Sequence, residues 1–203
     1  IFDSTFFFRT SDNRVYKVLD NNSGTAYSGA EPTSESTSTF VLGGYTLKYM
    51  YSITASEQAT FLTTDFMPVS TDTTVNSAAV DGSINSIIVT NTGSGLTNGT
   101  YYAAVYGDGT SQGTSSGAIV SIVVGAGGTI TSFGVTAGTD TSVHAAGSGY
   151  TFGTVNLGSS YTFSDTDLSS ASSMGSGTGG AVQVVISPKD GHGSDAVDEL
   201  GGH

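Results

Sequence analysis

The chain has no cysteine, which excludes a disulfide framework and any thiolate metal site. Basic residues are scarce. Five Lys and Arg stand against 17 Asp and Glu, giving a formal charge of −12, and none of the five lies between Lys48 and Lys189. A stretch of that length without a cation repels phosphate backbones and anionic headgroups, which argues against nucleic acid or a membrane surface as its partner. No apolar run approaches the roughly 20 residues that cross a bilayer as a helix. The chain opens at Ile1 without Met and closes on Glu199-Leu200-Gly201-Gly202-His203, and it reads as a piece of a longer protein.

What is present points to a folded, turn-rich chain. Of 203 residues 29 are Gly, yet 36% are hydrophobic and 10% aromatic, more than a disordered tract carries. Residues 14–19 and 45–53 are β-branched and aromatic runs. In the second, Tyr45, Leu47, Tyr49, Tyr51 and Ile53 alternate with Thr46, Lys48, Met50 and Ser52, the pattern of a half-buried strand. Residues 21–39, rich in Ser, Thr, Asn and Gly, form an exposed loop on this reading. Two short helices are expected, Ser56 to Leu62 and Ser194 to Leu200, each with its Ser as the N-cap.

Near Val69 the composition changes: cations stop, Gly and Ser rise, and short apolar runs alternate with Gly-rich turns until Ser187. The fold expected is mainly β, with few short helices. It comprises a discontinuous β domain of residues 1–70 plus 188–203, interrupted by an inserted β-sandwich or barrel-like module over 71–187. The module repeats itself. Ile84 to Thr90 returns as Ile130 to Thr136, Gly93 to Thr100 as Gly147 to Thr154, and Gly117 to Val124 as Gly180 to Ser187, at offsets of 46, 54 and 63 residues. Such self-similarity predicts two copies of one strand-and-turn unit related by pseudo-symmetry.

Sites of chemistry are weakly signalled. Gly175 to Gly180 fits the G-x-G-x-x-G pattern, but no strand feeds it and no helix opens from it, so a flexible hairpin turn is the better reading. Asp165 with Asp167, and Asp190, Asp195, Asp198 and Glu199 beside His192 and His203, are acidic clusters without the spacing of a calcium loop. His144 and His192 have no Ser or Cys nucleophile in a suitable context to activate. A platform of Tyr45, Tyr49, Tyr51, Tyr101, Tyr102 and Tyr150 suits a glycan, although strand tyrosines more often serve core or subunit contacts. No enzyme activity and no cofactor are expected.

Order of segments is the most specific feature. Phe8-Arg9, Asn13 to Asp20, Glu31-Pro32-Thr33, Gly44 to Ile53 and Phe66 to Val69, closed by Ile186 to Gly202, resemble the baseplate wedge subunit of T4-like contractile-tail phages, the gene-product-eight family, and its marine members above all. The Gly-rich module departs from the enteric phage's version. The resemblance implies a non-enzymatic virion component, located in the tail baseplate. Its implied partners are other baseplate proteins and, as in the family, a second copy in a homodimer. On this reading the candidate interface residues are Arg9, Arg14, Lys17, Tyr45, Lys48, Tyr49 and Tyr51, the cations docking an acidic partner. The alternatives are a tail-associated glycan-binding adhesin and a fragment of an enzyme.

Overall fold

The computed structural model describes residues 6–110, 117–131, 142–155, 157 and 175–202. The chain divides into two compact units, Ile1–Val80 with Pro188–His203, and Asp81–Ser187.

In the first unit the β-branched and aromatic runs pair as an antiparallel sheet in the order β1-β2-β4-β3, with β1 Phe7–Arg9, β2 Arg14–Asp20, β3 Phe40–Leu42 and β4 Tyr45–Ser52. The inner strands β2 and β4 are buried along almost their whole length. Alternation in residues 45–53 predicts one buried face; the structure covers both. On one face Tyr16 is the hub, stacked on Phe8 at 5.7 Å and edge-on to Phe40 and Tyr49 at 5.9 and 5.7 Å. Its hydroxyl donates to the Ser34 carbonyl at 2.9 Å, which draws the 21–39 loop across the sheet. On the other face Val15, Met50, Tyr51 and Ile53 pack with Ala196 and Leu200 of the returning C-terminal segment. The face assignment of β4 also changes within the strand. Val15 pairs with Tyr51 and Tyr16 with Tyr49, so Met50 is an extra residue, and this bulge moves Tyr51 and Ile53 off the face shared by Tyr45 and Tyr49.

Three short helices are described in this unit. Helix α1, Ala55–Phe61, is capped by Thr54, whose side chain and that of Glu57 close a reciprocal capping box. Ser56 therefore lies inside the helix instead of capping it. Helix α3, Ala196–Glu199, is capped by Asp195, which accepts from the amides of Val197 and Asp198, and not by Ser194. The third, α2 (Thr73–Ser77), was not signalled by periodicity; Asp72 caps it, and it buries Val75 against Tyr16 and Tyr49. That burial carries the unit's border to Val80, beyond the compositional border near 71.

The second unit contains β5 Ile84–Ser94, β6 Gly99–Gly107, β7 Ile119–Val124, β8 Ser142–Ala145, β9 Gly153–Val155 and β10 Thr178–Ile186. All ladders are antiparallel: β10 pairs with β5, and β8-β7-β6-β9 form a second sheet. β5 also lies against β8 and β9 against β10, so the six strands follow one another around a shared core that includes Ile84, Val105, Ile122, Ile130 and Ile186.

Two sets of bonds in this unit match residue for residue. In β7 on β8, Ile119, Val120 and Ser121 oppose Ala145, Val143 and Ser142; in β10 on β5, Ala181, Val182 and Gln183 oppose Asn91, Val89 and Ile88, with a register shift at the same step. The Ile84 amide donates to the Ala146 carbonyl at 2.8 Å, as the Ile130 amide donates to that of Thr92 at 2.7 Å. Tyr150 N–H donates to Gly82 and Leu96 N–H to Gly128, both at 3.0 Å. Gly82 and Gly128 carry left-handed φ of +57° and +70°, and an added Cβ would press on the backbone of Tyr150 and of Leu96 respectively. These matches correct two offsets. Val89 corresponds to Val143 and Ile88 to Ser142, so within the first element the displacement passes from 46 residues at Ile84 to 54 by Ile88. Ile119 corresponds to Ala181, so the third element is displaced by 62 residues and not 63. The physical reason is strand parity. Val120, Ile122 and Val124 face the core, as do Val182, Val184 and Ile186, whereas aligning Gly117 on Gly180 would set inward Val120 against exposed Gln183.

Candidate functional site

The seven expected interface residues separate by burial. Lys17 and Lys48 are each 5% exposed, Tyr49 4% and Tyr51 1%. They belong to the interior of the first unit, so a docking face built on them is not a surface of this fold. Arg14 is engaged locally, its Nε on Glu35 at 2.7 Å and its Nη1 on Asp12 at 2.9 Å. Arg9 is exposed and donates to Asn13 Oδ1 at 2.5 Å. Tyr45 is half-buried and donates to the Thr25 carbonyl at 2.7 Å. The tyrosine platform likewise dissolves: Tyr101 and Tyr150 are 5% and 2% exposed, and Tyr102 packs edge-on to His144 at 5.0 Å.

The buried cations belong to a cluster that sequence spacing did not show. Lys17 on β2 stands directly opposite Lys48 on β4. Two like charges facing one another inside a sheet require a counter-ion, and α3 supplies it: Glu199 Oε1 lies 2.8 Å from Lys17 Nζ. The same oxygen meets His192 Nδ1, while Oε2 accepts the Gly193 amide at 2.7 Å. Lys48 donates to the Thr37 carbonyl. Burial alone would raise the Glu199 carboxyl, but the bonds from His192 and Lys17 hold it down at about 2. Burial lowers the His192 imidazole against the pull of Glu199, whose carboxylate accepts a hydrogen bond from its Nδ1–H. Its Nε2 is buried without a hydrogen-bond partner. Burial also lowers Lys48, opposed by Glu199. His192 and Glu199, two members of the acidic cluster read as a possible cation site, thus do come together, and the cation they hold is the Lys17 ammonium. Asp165, Asp167 and His203 lie outside the described residues. The glycine-rich run Gly175 to Gly180 passes through a turn into β10, with a strand where a phosphate loop would place a helix.

A cavity of about 320 Å³ opens on the Tyr45 side of the sheet. Phe6, Phe8, Tyr27, Tyr45 and Leu47 line it, with Glu31 as its single ionisable acid among the described residues. Tyr27 is laid across Gly29 and Gly43, where a Cβ would come within 2.3 and 2.4 Å of its ring or hydroxyl. Its ring meets that of Tyr45 edge-on at 6.0 Å, and its hydroxyl donates to the Ala30 carbonyl at 2.5 Å. The two phenols are therefore fastened at their tips. Glu31 Oε2 accepts from both the hydroxyl and the amide of Ser11, at 2.6 and 2.8 Å, and these bonds lower its carboxyl pKa. This cavity uses one expected residue, Tyr45. The other walls come from Phe6, from Phe8, Val18, Leu42 and Leu47 on the four strands, and from the 27–32 stretch of a loop whose composition reads only as exposed turn.

No family model matches the chain, and neither a curated protein nor a solved structure matches it.

Proposed function

We propose that this chain is a structural component of a contractile-tail phage virion, a baseplate wedge protein that acts through protein–protein interfaces and turns over no substrate. The observation that carries the reading is the placement of the wedge-like segments. Those quoted from residues 8–69 and from the closing stretch after Ser187 share one compact unit, in which α3 packs on the sheet and Glu199 neutralises Lys17. Segments far apart in sequence that share one core form a coherent body for the resemblance to describe. Residues 81–187 are, on this reading, an inserted β module built from two copies of one strand-and-turn unit. The matched registers of β7 on β8 and β10 on β5 support the duplication.

Wedge proteins work by exchangeable contacts, and such contacts need accessible edges and pockets. In the first unit β1 and β3 are the outer strands of the sheet, and the cavity opens beside them. The glycan-binding alternative loses support because Tyr49, Tyr51, Tyr101 and Tyr150 are interior. The test is immunogold labelling of phage particles that carry this gene, with antibody raised against the chain. Label at the distal end of the tail is expected. Label on the capsid, or intact particles that lack the chain by mass spectrometry, would overturn the assignment, and saturable turnover of a polysaccharide would overturn the non-enzymatic reading.

A further inference from the structure

We infer that the cavity of the first unit receives the side chain of an arginine or lysine from a partner protein. The inference rests on the reading that this unit docks other proteins, and it names the chemistry of the contact. Its argument has three parts. First, the volume of about 320 Å³ is roughly that of ten waters at about 30 Å³ each, ample room for one long side chain. Second, the walls are aromatic: Phe6, Phe8, Tyr27 and Tyr45 present apolar bodies while both tyrosine hydroxyls are bonded to backbone carbonyls. Faces of aromatic rings attract ammonium and guanidinium groups through the ring quadrupole, and repel carboxylates. Third, the one acid in the lining among the described residues is Glu31, held ionised by Ser11 with both bonds on Oε2.

Charge complementarity over the wider surface points the same way. Of five basic residues in the chain, Lys17 and Lys48 are buried, Arg14 is paired with Asp12 and Glu35, and Lys189 is exposed but does not line the cavity, against 17 Asp and Glu. Arg9, whose field helps to lower Glu31, is bonded to Asn13 and does not line the cavity. A basic partner is drawn to such a surface and an acidic one is repelled. The direction is opposite to the docking of an acidic partner that the sequence suggested. An aliphatic stem against Leu47 and a cationic head between the tyrosines and Glu31 satisfies every wall of the cavity.

The test is a chemical-shift titration of the ¹⁵N-labelled full chain with three probes of one size: N-acetyl-arginine amide, N-acetyl-norleucine amide and N-acetyl-glutamate amide. The arginine probe should give saturable shifts at Gly29, Glu31, Leu42 and Tyr45, with affinity about tenfold above the neutral probe, and the acidic probe should give none. Glu31→Gln should weaken the arginine probe about three- to tenfold and leave the neutral probe unchanged. Gly29→Ala, which displaces the Tyr27 ring, should abolish binding of both while shifts of the second unit stay in place. Equal affinity for the neutral and cationic probes, shifts scattered over the whole chain, or an unchanged arginine affinity in Glu31→Gln would each overturn the inference. A chain that binds the arginine probe selectively but is absent from virions would instead overturn the wedge assignment.

Discussion

Replacing Glu199 by Gln tests whether the first unit is held together by one buried counter-ion. The substitution keeps shape and removes a charge. Lys17 and Glu199 are 6% and 7% exposed and their bond is 2.8 Å, so the loss leaves two ammonium groups, Lys17 and Lys48, opposed across β2 and β4 with nothing to neutralise them. Removing one partner of a buried pair costs about 3–5 kcal/mol. The pKa gives a second measure: Glu199 falls from 4.5 to about 2, which at about 1.36 kcal/mol per unit is about 3 kcal/mol. Against total domain stabilities of about 5–15 kcal/mol, either figure is a large fraction. Because the chain has two units and need not unfold in one step, the assay is native-state hydrogen exchange read on peptides from β2, β4 and 188–202. The sign with pH follows from the direction of each shift. Glu199 has its folded pKa below the unfolded one, so its contribution is present above about pH 4.5 and is lost as pH falls towards 2. His192 is also lowered, so the unfolded chain takes up a proton below about 6.5 while the folded chain does not, and stability declines from there downwards. The wild-type chain should therefore lose protection in two steps on acidification, and Glu199→Gln should lack the lower one. A change below about 1 kcal/mol, or protection that stays level from pH 7 to 3, would refute the counter-ion argument.

Further outcomes follow from the same contacts. Lys17→Glu should unfold the first unit at neutral pH, since it sets two carboxylates against one another inside the core; a folded variant by circular dichroism would contradict that burial. Tyr150→Phe removes a hydroxyl that accepts from the Ala118 amide at 3.1 Å and donates towards the Val105 carbonyl at 3.3 Å, so urea denaturation should show a loss of about 1–3 kcal/mol from the second unit. Gly82→Ala should destabilise more than Gly128→Ala, because the added Cβ meets Tyr150 N at 2.3 Å but Leu96 O only at 3.0 Å; equal thermal shifts would undo the comparison. Val120→Gln should cost several kcal/mol by placing an amide in the core, whereas Gln183→Val should be near neutral, and interchangeable effects would restore the 63-residue register.

The sequence makes some layers of this structure plain and conceals others. Strand runs such as Arg14 to Leu19 and Tyr45 to Ser52 are visible because β-branched and aromatic residues crowd them, and the repeat is visible because its glycines sit at fixed turns. The bulge at Met50 is not visible. Alternation continues through it in sequence, and only the pairing of Val15 with Tyr51 shows that Tyr51 has changed faces. The N-cap of α1 was legible and misassigned: Thr54 with Glu57 spells a capping box, a stronger signal than Ser56. The offset of 62 was hidden by glycine identity, which outweighed the parity of Val120, Ile122 and Val124. The buried cluster was illegible for a deeper reason. Lys17, Lys48, His192 and Glu199 are brought together across more than 180 residues of chain, as the bond between Lys17 and Glu199 spans 182 positions. Nothing local marks a lysine as interior when its counter-ion arrives from the other end of the sequence.

That separation gives the C-terminal segment a role beyond completing a sheet. Lys17 and Lys48 alone would make the middle of β2 and β4 a hydrated, electropositive face, the surface that sequence patterning led us to expect. Once Glu199 lies over it, the Lys17 charge is countered and Ala196 and Leu200 continue the apolar layer begun by Val15 and Met50. The first unit is therefore finished only when the segment after Ser187 returns. On the proposed reading, partner contacts use what the return leaves open, namely the outer strands β1 and β3 and the aromatic cavity beside them. Among the described residues of the second unit the strands run round a shared core, each sheet edge lying against the other sheet, which leaves turns in place of open strands there. If the proposed wedge function holds, its exchangeable contacts belong on the sheet of the first unit, and a variant that perturbs only the β5 to β10 ring should leave them intact.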